Sequence, residues 1–525
     1  MNKVTASGFA TVGAESATPV VTTRQGAVRG VVENGVAVFR GIPYAEAPVG
    51  RRRFTPPVRV ARWEGVRDAR RFGDICPQTG ESPIDSASLP RGVPQGDDCL
   101  NLNVWTPAPG FASLPVFVWI HGGSFKWGAG SVGLYDGSTF ARDGVVAVTL
   151  NYRLGASGFL NIGDKPGSGC FGLLDQIAAL EWVQENIAAF GGDPAQVTIA
   201  GESAGGFSVG QLLAAPGARG LFRRAIAQSG GTMLQTRADA GAFVGRELLA
   251  RLGTTPEDED GLAAITSADL LAAQIATLPR VAQLLVDHGL AVDPLAFMVS
   301  PLTPNYGGDV QPTAALEAIQ AGSAAGVDLI VGHTAEEASL LYPSSEAAMF
   351  ARPFMEKGLD LAFSAAGCAG SEILRGYASR RTMADITEAV RPAGTDFIFR
   401  IPTIRLAEAA LTHNPRVYMF SMAWGGSLGA AHGLDVPLMF DSLEPSRALI
   451  AMLGVDDARP AQPLATAMHG ARVNFVKTGS PQHPDLPEWP QYDLTRRATM
   501  ELNLASCIVD DPGAEERQLW DAARY

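Results

Sequence analysis

Apolar residues along this 525-residue chain come in short dense runs, each bounded by glycine, proline or polar turns. Val116-Phe117-Val118-Trp119-Ile120 and Val145-Val146-Ala147-Val148-Thr149-Leu150 are almost unbroken, as strands buried on both faces of a parallel sheet require. Leu100-Asn101-Leu102-Asn103-Val104-Trp105 alternates instead, the period of a strand with two unlike faces. Val28 to Phe39 holds two short strands around Asn34-Gly35, a hairpin turn signal. Leu173, Ile177, Leu180 and Ile187 recur at near-helical spacing and predict an amphipathic helix that ends before Phe190. Phe190-Gly191-Gly192-Asp193-Pro194 breaks the chain, a strand follows over 197–200, and a helix start comes soon after. Helix, turn, strand, tight turn, helix is the alternation of a doubly wound α/β sheet.

From about 238 to 325 the pattern becomes Ala/Leu-rich and helical, with acidic turns. Asp328-Leu329-Ile330-Val331-Gly332 restores a strand, 338–412 is again mainly helical, and Arg416 to Met422 is a late strand. These helical insertions are expected over the strand ends, where open α/β sheets bind ligands. No linker, charge run or repeat divides the chain, so one domain over 1–525 is expected, with 1–19 a flexible lead-in and 77–98 a loop.

Composition removes several classes of function. A net charge of −13 argues against a nucleic-acid partner, which needs a basic stripe. No apolar run reaches the roughly 18 residues that span a membrane. The N-terminal stretch alternates Thr, Ser and Gly, a poor secretory signal, so a cytoplasmic location is expected. Five cysteines (Cys76, Cys99, Cys170, Cys368, Cys507) show no Cys-x-x-Cys and no His/Cys cluster, so neither a metal nor another cofactor is expected. Cys76 and Cys99 are far enough apart to close a loop, or stand as two ordinary thiols. Oligomeric state is not set by the sequence; monomer and dimer both fit.

The candidate chemistry centres on Val197-Thr198-Ile199-Ala200-Gly201-Glu202-Ser203-Ala204-Gly205-Gly206. Gly-x-Ser-x-Gly between a strand and a helix is a nucleophile elbow, a sharp turn that raises a serine hydroxyl above a sheet. A side chain at Gly201 or Gly205 would obstruct so tight a turn. His121-Gly122-Gly123-Ser124-Phe125 follows a buried strand directly, and its glycines leave backbone N–H groups bare for an oxyanion. A serine also needs a base, and the base a third group to orient it. Of the later histidines, His413 ends a helix, His469 reads as a helix position and His483 sits among prolines. His432 follows the late strand on a flexible small-residue loop and is the best base. For the acid, Glu336 and Glu337 both come just past the strand end at Gly332, and periodicity does not choose between them. Glu202 is a third carboxylate beside the serine, a tuner of charge or a bystander.

Many ordered segments together resemble the type B carboxylesterases, the carboxylesterase/cholinesterase branch of the α/β-hydrolases, and within it the bacterial para-nitrobenzyl-esterase-like members. Among these segments are Phe39 to Ala45, Asp97 to Val104, His121 to Phe125, Asn151 to Gly155, Gly172 to Gln176 and Gly201 to Gly206. His432-Gly433-Leu434-Asp435-Val436-Pro437 and Lys477 to Pro481 continue the match, which runs from about Val20 to Asp493. The resemblance implies an α/β-hydrolase fold, with a mostly parallel twisted sheet, helices on both faces and helical insertions over the site. It also implies a hydrolase of carboxylic esters with Ser203 as nucleophile, His432 as base and Glu337 as acid. Gly123, Ser124 and Ala204 become the oxyanion donors, and Cys76–Cys99 the position of a disulfide. Arg53 with Asp97 and Arg153 with Asp175 become structural ion pairs.

Three positions depart from the family pattern. Glu336-Glu337-Ala338 stands where Asp-Glu-Gly is usual, so Glu336 remains a second candidate for the acid. Ser124 replaces a glycine where φ > 0 would be strained, and Cys170-Phe171 replaces Asn-x before Gly172. Phe125, Trp127, Phe207, Phe297, Met298, Met422 and Trp424 are candidates for an apolar substrate pocket, or core residues. The same machinery would serve carbamates or aryl amides, whereas a silent binding module of this fold would lack the nucleophile. Residues 77–98 carry no Phe, Tyr or Trp, so the aromatic platform that cholinesterases place in this loop is missing.

Overall fold

A computed structural model describes residues 18–78, 92–110, 113–290, 293–414 and 416–523. Most of the expected lead-in over 1–19 and most of the 77–98 loop lie outside these residues. Eleven strands form one sheet among them. In chain order they are β1 (Val31–Glu33), β2 (Val36–Pro43), β3 (Asn101–Thr106), β4 (Leu114–Ile120), β5 (Val146–Leu150), β6 (Gly192–Glu202), β7 (Arg224–Gln228), β8 (Asp328–Thr334), β9 (Val417–Met422), β10 (Ala498–Leu502) and β11 (Cys507–Asp510). Their spatial order is β11-β10-β9-β8-β7-β6-β4-β5-β3-β2-β1. From β10 to β5 every neighbouring pair is parallel; the outer pairs are antiparallel. Helices cover both faces, and two apolar cores result, one on each side of the sheet.

The hairpin forms where its turn signal lies: β1 and β2 pair across Asn34 (φ 50°) and Gly35 (φ 82°), two positive φ angles in succession. Three local expectations change. β3 is buried along its whole length, because it lies between β2 and β5 with both faces covered. Its asparagines are satisfied inside: the Asn103 amide donates to Thr149 Oγ1 at 3.0 Å, and its oxygen accepts from Gly41 N–H at 2.9 Å. The helix Phe171–Asn186 is buried around most of its circumference, not on one stripe. The break before the elbow strand is confined to Gly191 (φ 85°), so β6 begins at Gly192 and already includes Pro194.

Two long-range ties hold the loops at the sheet edge. Arg153 clamps Asp175 through paired bonds of 2.7 and 2.8 Å, both side chains fully buried, and also donates to the Arg53 and Thr55 carbonyls. Arg53 reaches Asp97 at 3.6 Å, with the Ser267 hydroxyl bridging the two. Cys76 and Cys99, by spacing either a closed loop or two thiols and by resemblance a pair, are bonded here with Cα atoms 4.9 Å apart. No helix of the described residues is long and apolar enough to cross a membrane.

Strand register decides what meets at the carboxyl edge of the sheet. Ile120 pairs with Gly201, Gln228 with both Glu202 and Gly332, and Thr334 with Met422. The loops leaving β4, β6, β8 and β9 therefore start at one level. They carry His121, Ser203, Glu337 and His432.

Candidate active site

Ser203 stands between β6 and the helix Ala204–Ala214 with φ 57° and ψ −126°, a conformation that L-residues adopt only under strain. Its surroundings hold it there. Ser203 N–H donates to the Gln228 carbonyl at 3.0 Å, and its own carbonyl accepts from Phe207 N–H at 2.8 Å. A Cβ on Gly201 would come within 2.4 Å of the Gly205 backbone, and one on Gly205 within 2.0 Å of the Ile120 carbonyl oxygen. The glycines thus serve a close approach of β4 as well as the turn itself.

The loop after β4 is strained in the same way. Gly123 has φ 107°, and a Cβ there would lie 2.1 Å from the Trp127 carbonyl oxygen. Ser124 (φ 53°) and Phe125 (φ 58°) follow in the left-handed region, so the strain expected at Ser124 is present and extends one residue further. The Gly123 carbonyl accepts from Lys126 and Trp127 N–H at 2.9 and 3.0 Å and closes the turn. Among the described residues no acceptor takes up the N–H of Gly123, Ser124 or Ala204. Gly123 and Ser124 are partly buried and Ala204 is buried, and all three residues line one cavity, where such N–H groups could meet a negatively charged oxygen. His121 anchors the loop: its ring stacks on Tyr152 at 4.5 Å, and Nδ1–H bonds the Gly122 carbonyl at 2.8 Å. Burial pushes its pKa down to about 4, so it stays neutral.

His432 Nδ1 donates to Glu337 Oε2 at 2.5 Å, and the other carboxylate oxygen, Oε1, accepts Thr334 N–H at 2.7 Å. Glu337 is fully buried at the end of β8. Burial opposes its charge, but the His432 charge and hydrogen bond outweigh it and hold the carboxyl below its usual range. The second ring nitrogen of His432, Nε2, lies 3.1 Å from Glu202 Oε1. Burial disfavours the imidazolium, yet Glu202 first and Glu337 next raise the His432 pKa to about 9. In this arrangement the ring is charged at neutral pH, and among the described residues no hydrogen bond joins it to the Ser203 hydroxyl.

Glu336 is exposed and points elsewhere, its Oε2 accepting Ala430 N–H at 2.7 Å. It ties down the loop that carries His432. That loop, expected to be flexible, is folded tightly on itself: Gly429 N–H donates to Gly426 at 2.9 Å, and a Cβ on Gly425 would meet the Gly429 oxygen at 2.0 Å. Its small residues permit close approach. The remaining late histidines are engaged elsewhere, His469 with Asp143 (3.0 Å), His413 with the Gln320 carbonyl (2.9 Å), His333 with the Thr334 carbonyl (2.9 Å) and His483 with Asp485 N–H (3.3 Å).

Ser203, His432, Glu202, Gly123, Ser124 and Ala204 all line one cavity of about 180 Å³. Of the pocket candidates, Trp127 and Phe207 line it as well. The others do not. Phe125 is buried against Phe159, rings 5.0 Å apart, because its positive φ turns it into the core. Met422 and Trp424 are buried in the second apolar core and are not part of the cavity wall. Met298 packs behind Gly358, and Phe297 lines a neighbouring cavity. The sequence pattern did not indicate Tyr135, Leu340, Leu341, Ile398, Phe399 and Val436, which also line the wall. Ile398 and Phe399 come from a π-helical turn, Asp396–Arg400, of the kind that recurs at functional sites. Arg400 pairs with Asp396 at 2.6 and 2.8 Å, Asp396 accepts the Tyr377 hydroxyl, and Trp520 Nε1 donates to that hydroxyl at 2.7 Å. This cluster holds Phe399 with its ring 4.4 Å from that of His432.

The sheet order, the elbow and the helices on both faces define an α/β-hydrolase. Residues 17–520 match the Carboxylesterase family, and the chain belongs to it as a carboxylic ester hydrolase. It is 37% identical over 516 residues to the para-nitrobenzyl esterase of Bacillus subtilis (strain 168), covering 95% of this chain and 98% of that protein. It is 33% identical over 509 residues to the phenmedipham hydrolase of Pseudarthrobacter oxydans, covering 95% and 96%. The solved carboxylesterase of Geobacillus stearothermophilus superposes with a TM-score of 0.80 at 35% identity, over 96% of this chain and all of that one.

Proposed function

We propose that this enzyme cleaves carboxylic esters through an acyl-enzyme on Ser203, with His432 as base and Glu337 as the group that orients it. The observation that carries the reading is the 2.5 Å bond from His432 Nδ1 to buried Glu337, beside a serine on a strained elbow. That bond leaves Nε2 as the nitrogen that exchanges protons. When Nε2 is protonated it stays with Glu202. Once neutral it has no proton to offer a carboxylate, and its lone pair accepts from the Ser203 hydroxyl instead. Ser203 Oγ then attacks the ester carbonyl while His432 takes its proton and returns it to the leaving alcohol. The N–H groups of Gly123, Ser124 and Ala204 hold the oxyanion. Water, activated by the same histidine, releases the acid and restores Ser203. A fluorophosphonate probe tests the reading: labelling at Ser203 supports it, and an unlabelled protein would point to a binding role.

Because His432 must be neutral to act, kcat/KM is expected to rise with pH and level off only above about 9. Glu202→Gln removes the first of the two carboxylates that raise this pKa. The limb should then move to lower pH by roughly one unit. A limb that stays in place in Glu202→Gln would mean that Glu202 does not hold the imidazolium.

The cavity wall is apolar, with Trp127, Tyr135, Phe207 and Phe399 its aromatics, and favours short- to medium-chain or aryl esters of uncharged alcohols. A quaternary ammonium gains up to about 2 kcal/mol or more over a desolvated aromatic face. The loop over 77–98 supplies no such face; most of it lies outside the described residues, but its sequence has no aromatic. Butyrylcholine should therefore show no advantage in kcat/KM over 3,3-dimethylbutyl butyrate, its uncharged isostere. A tenfold preference for the choline ester would reveal a cation site among the wall aromatics.

A further inference from the structure

Beside the reaction cavity lies a second one of about 300 Å³, and Val299 forms part of the wall of both. Most of its lining is apolar, contributed by Ile275, Leu278, Leu285, Ala296 and Phe297 from the helical insertions. Lys126 is the one cation among its lining residues. It is the second residue after Ser124, so its backbone belongs to the turn that presents the oxyanion donors, and its N–H closes that turn on the Gly123 carbonyl at 2.9 Å.

The partners of the Lys126 ammonium are all neutral. Nζ donates to the Val299 carbonyl at 3.2 Å and stands 5.6 Å from the centre of the Trp127 ring. Among the described residues no carboxylate comes within ion-pair distance. Asp293 lines the same cavity beyond ion-pair distance of Lys126; it accepts Arg237 N–H at 3.0 Å and the Tyr306 hydroxyl at 3.2 Å. Burial pushes its pKa up to about 6, which weakens its charge on the acid side of neutrality. A half-buried ammonium with three N–H donors and one carbonyl acceptor is undersatisfied, and burial already draws its pKa down. Removing a charge from water is costly unless an opposite charge meets it. An anionic group delivered by a substrate would supply that charge beside the oxyanion loop.

We propose that this second cavity is an anion subsite, in which Lys126 receives a carboxylate carried by the ester at a few methylenes from the scissile bond. The inference rests on the reading of Ser203 as nucleophile and adds a substrate class to it: monoesters of dicarboxylic acids, or esters of hydroxy acids. Discrimination then comes from leaving a half-buried ammonium without a counter-charge when the substrate is neutral.

Two matched pairs of esters test it. In the first the carboxylate is on the acyl side, 4-nitrophenyl hemiglutarate against 4-nitrophenyl hexanoate. In the second it is on the alcohol side, 5-butyryloxypentanoate against hexyl butyrate. The anionic-to-neutral ratio of kcat/KM should fall at least tenfold from wild type to Lys126→Met in one of the pairs, chiefly through KM. Lys126→Arg should keep most of it. The pair that responds says which side of the ester enters the subsite. A ratio unchanged by Lys126→Met in both pairs overturns the proposal, as does a Lys126→Arg variant that loses the ratio as fully as Lys126→Met. Wild-type enzyme gives a test without mutation: pentanoate should inhibit hexanoate ester hydrolysis at a tenfold lower concentration than pentanamide, and equal inhibition overturns the subsite. Failure of the nucleophile assignment looks different, since Ser203→Ala would then still turn over the neutral esters.

Discussion

Ser203→Ala is expected to lose about 10⁴–10⁶-fold in kcat on any ester the enzyme accepts, with far-UV circular dichroism and melting temperature unchanged or slightly raised. The loss is large because Ser203 alone stands at the apex of the elbow: Glu202 precedes it there but faces His432 Nε2 at 3.1 Å, and His432 comes from another loop. What remains would be the work of the three N–H donors and of binding. The fold should survive because the hydroxyl makes no hydrogen bond to another described residue, and the elbow is held by the Ser203 main chain. Alanine at φ 57° carries the same backbone strain as serine. His432→Ala should be comparably severe, and the double variant little worse than either alone, since the two act as one unit. A double variant that multiplied the two losses would show that they work independently and would overturn the shared mechanism.

Glu337→Gln carries the second large effect, a loss of about 10³–10⁴-fold expected from turning the histidine into the wrong tautomer. Glu337 Oε1 accepts Thr334 N–H, so a glutamine amide would keep its oxygen there and present its NH₂ to His432 Nδ1. Nδ1 must then accept, which puts the proton on Nε2, the nitrogen that has to take one from Ser203. Glu336→Gln is the control. Glu336 accepts only Ala430 N–H with its carboxylate among the described residues, and a glutamine carbonyl can accept the same bond. Its effect should stay within about threefold, the scale of one exposed hydrogen bond weakened by loss of charge. Steady-state kinetics on one aryl ester decides the matter. If Glu336→Gln were the more damaging change, the acid would have been misassigned.

The elements of the sheet were legible because burial on both faces writes itself as unbroken apolar runs, as in Val116 to Ile120, and because turns demand particular residues, as at Asn34-Gly35. The alternation over Leu100 to Trp105 misled for the same reason. It reports that side chains of two kinds alternate, and polar ones point inward when, like Asn103, they find partners there. The elbow and the oxyanion loop were legible from their glycines, since positive φ and close approach admit few other residues. Phe125 was not, because a positive φ at a non-glycine residue sends its side chain where no periodicity predicts.

Local chemistry in the sequence therefore determined the class of fold, the strained turns and the short set of groups able to act, with Glu336 and Glu337 undivided by pattern. Choosing between those two needed three dimensions. One position along the chain turns a side chain by roughly a third of a helical turn, and here it separates a carboxylate on His432 from one on the Ala430 amide. The contact of Glu202 with the same imidazole, the wall brought in by Ile398 and Phe399, and the second cavity around Lys126 were likewise decided by tertiary structure. Each joins residues distant in sequence through strand register and helix docking, and neither leaves a period in the chain.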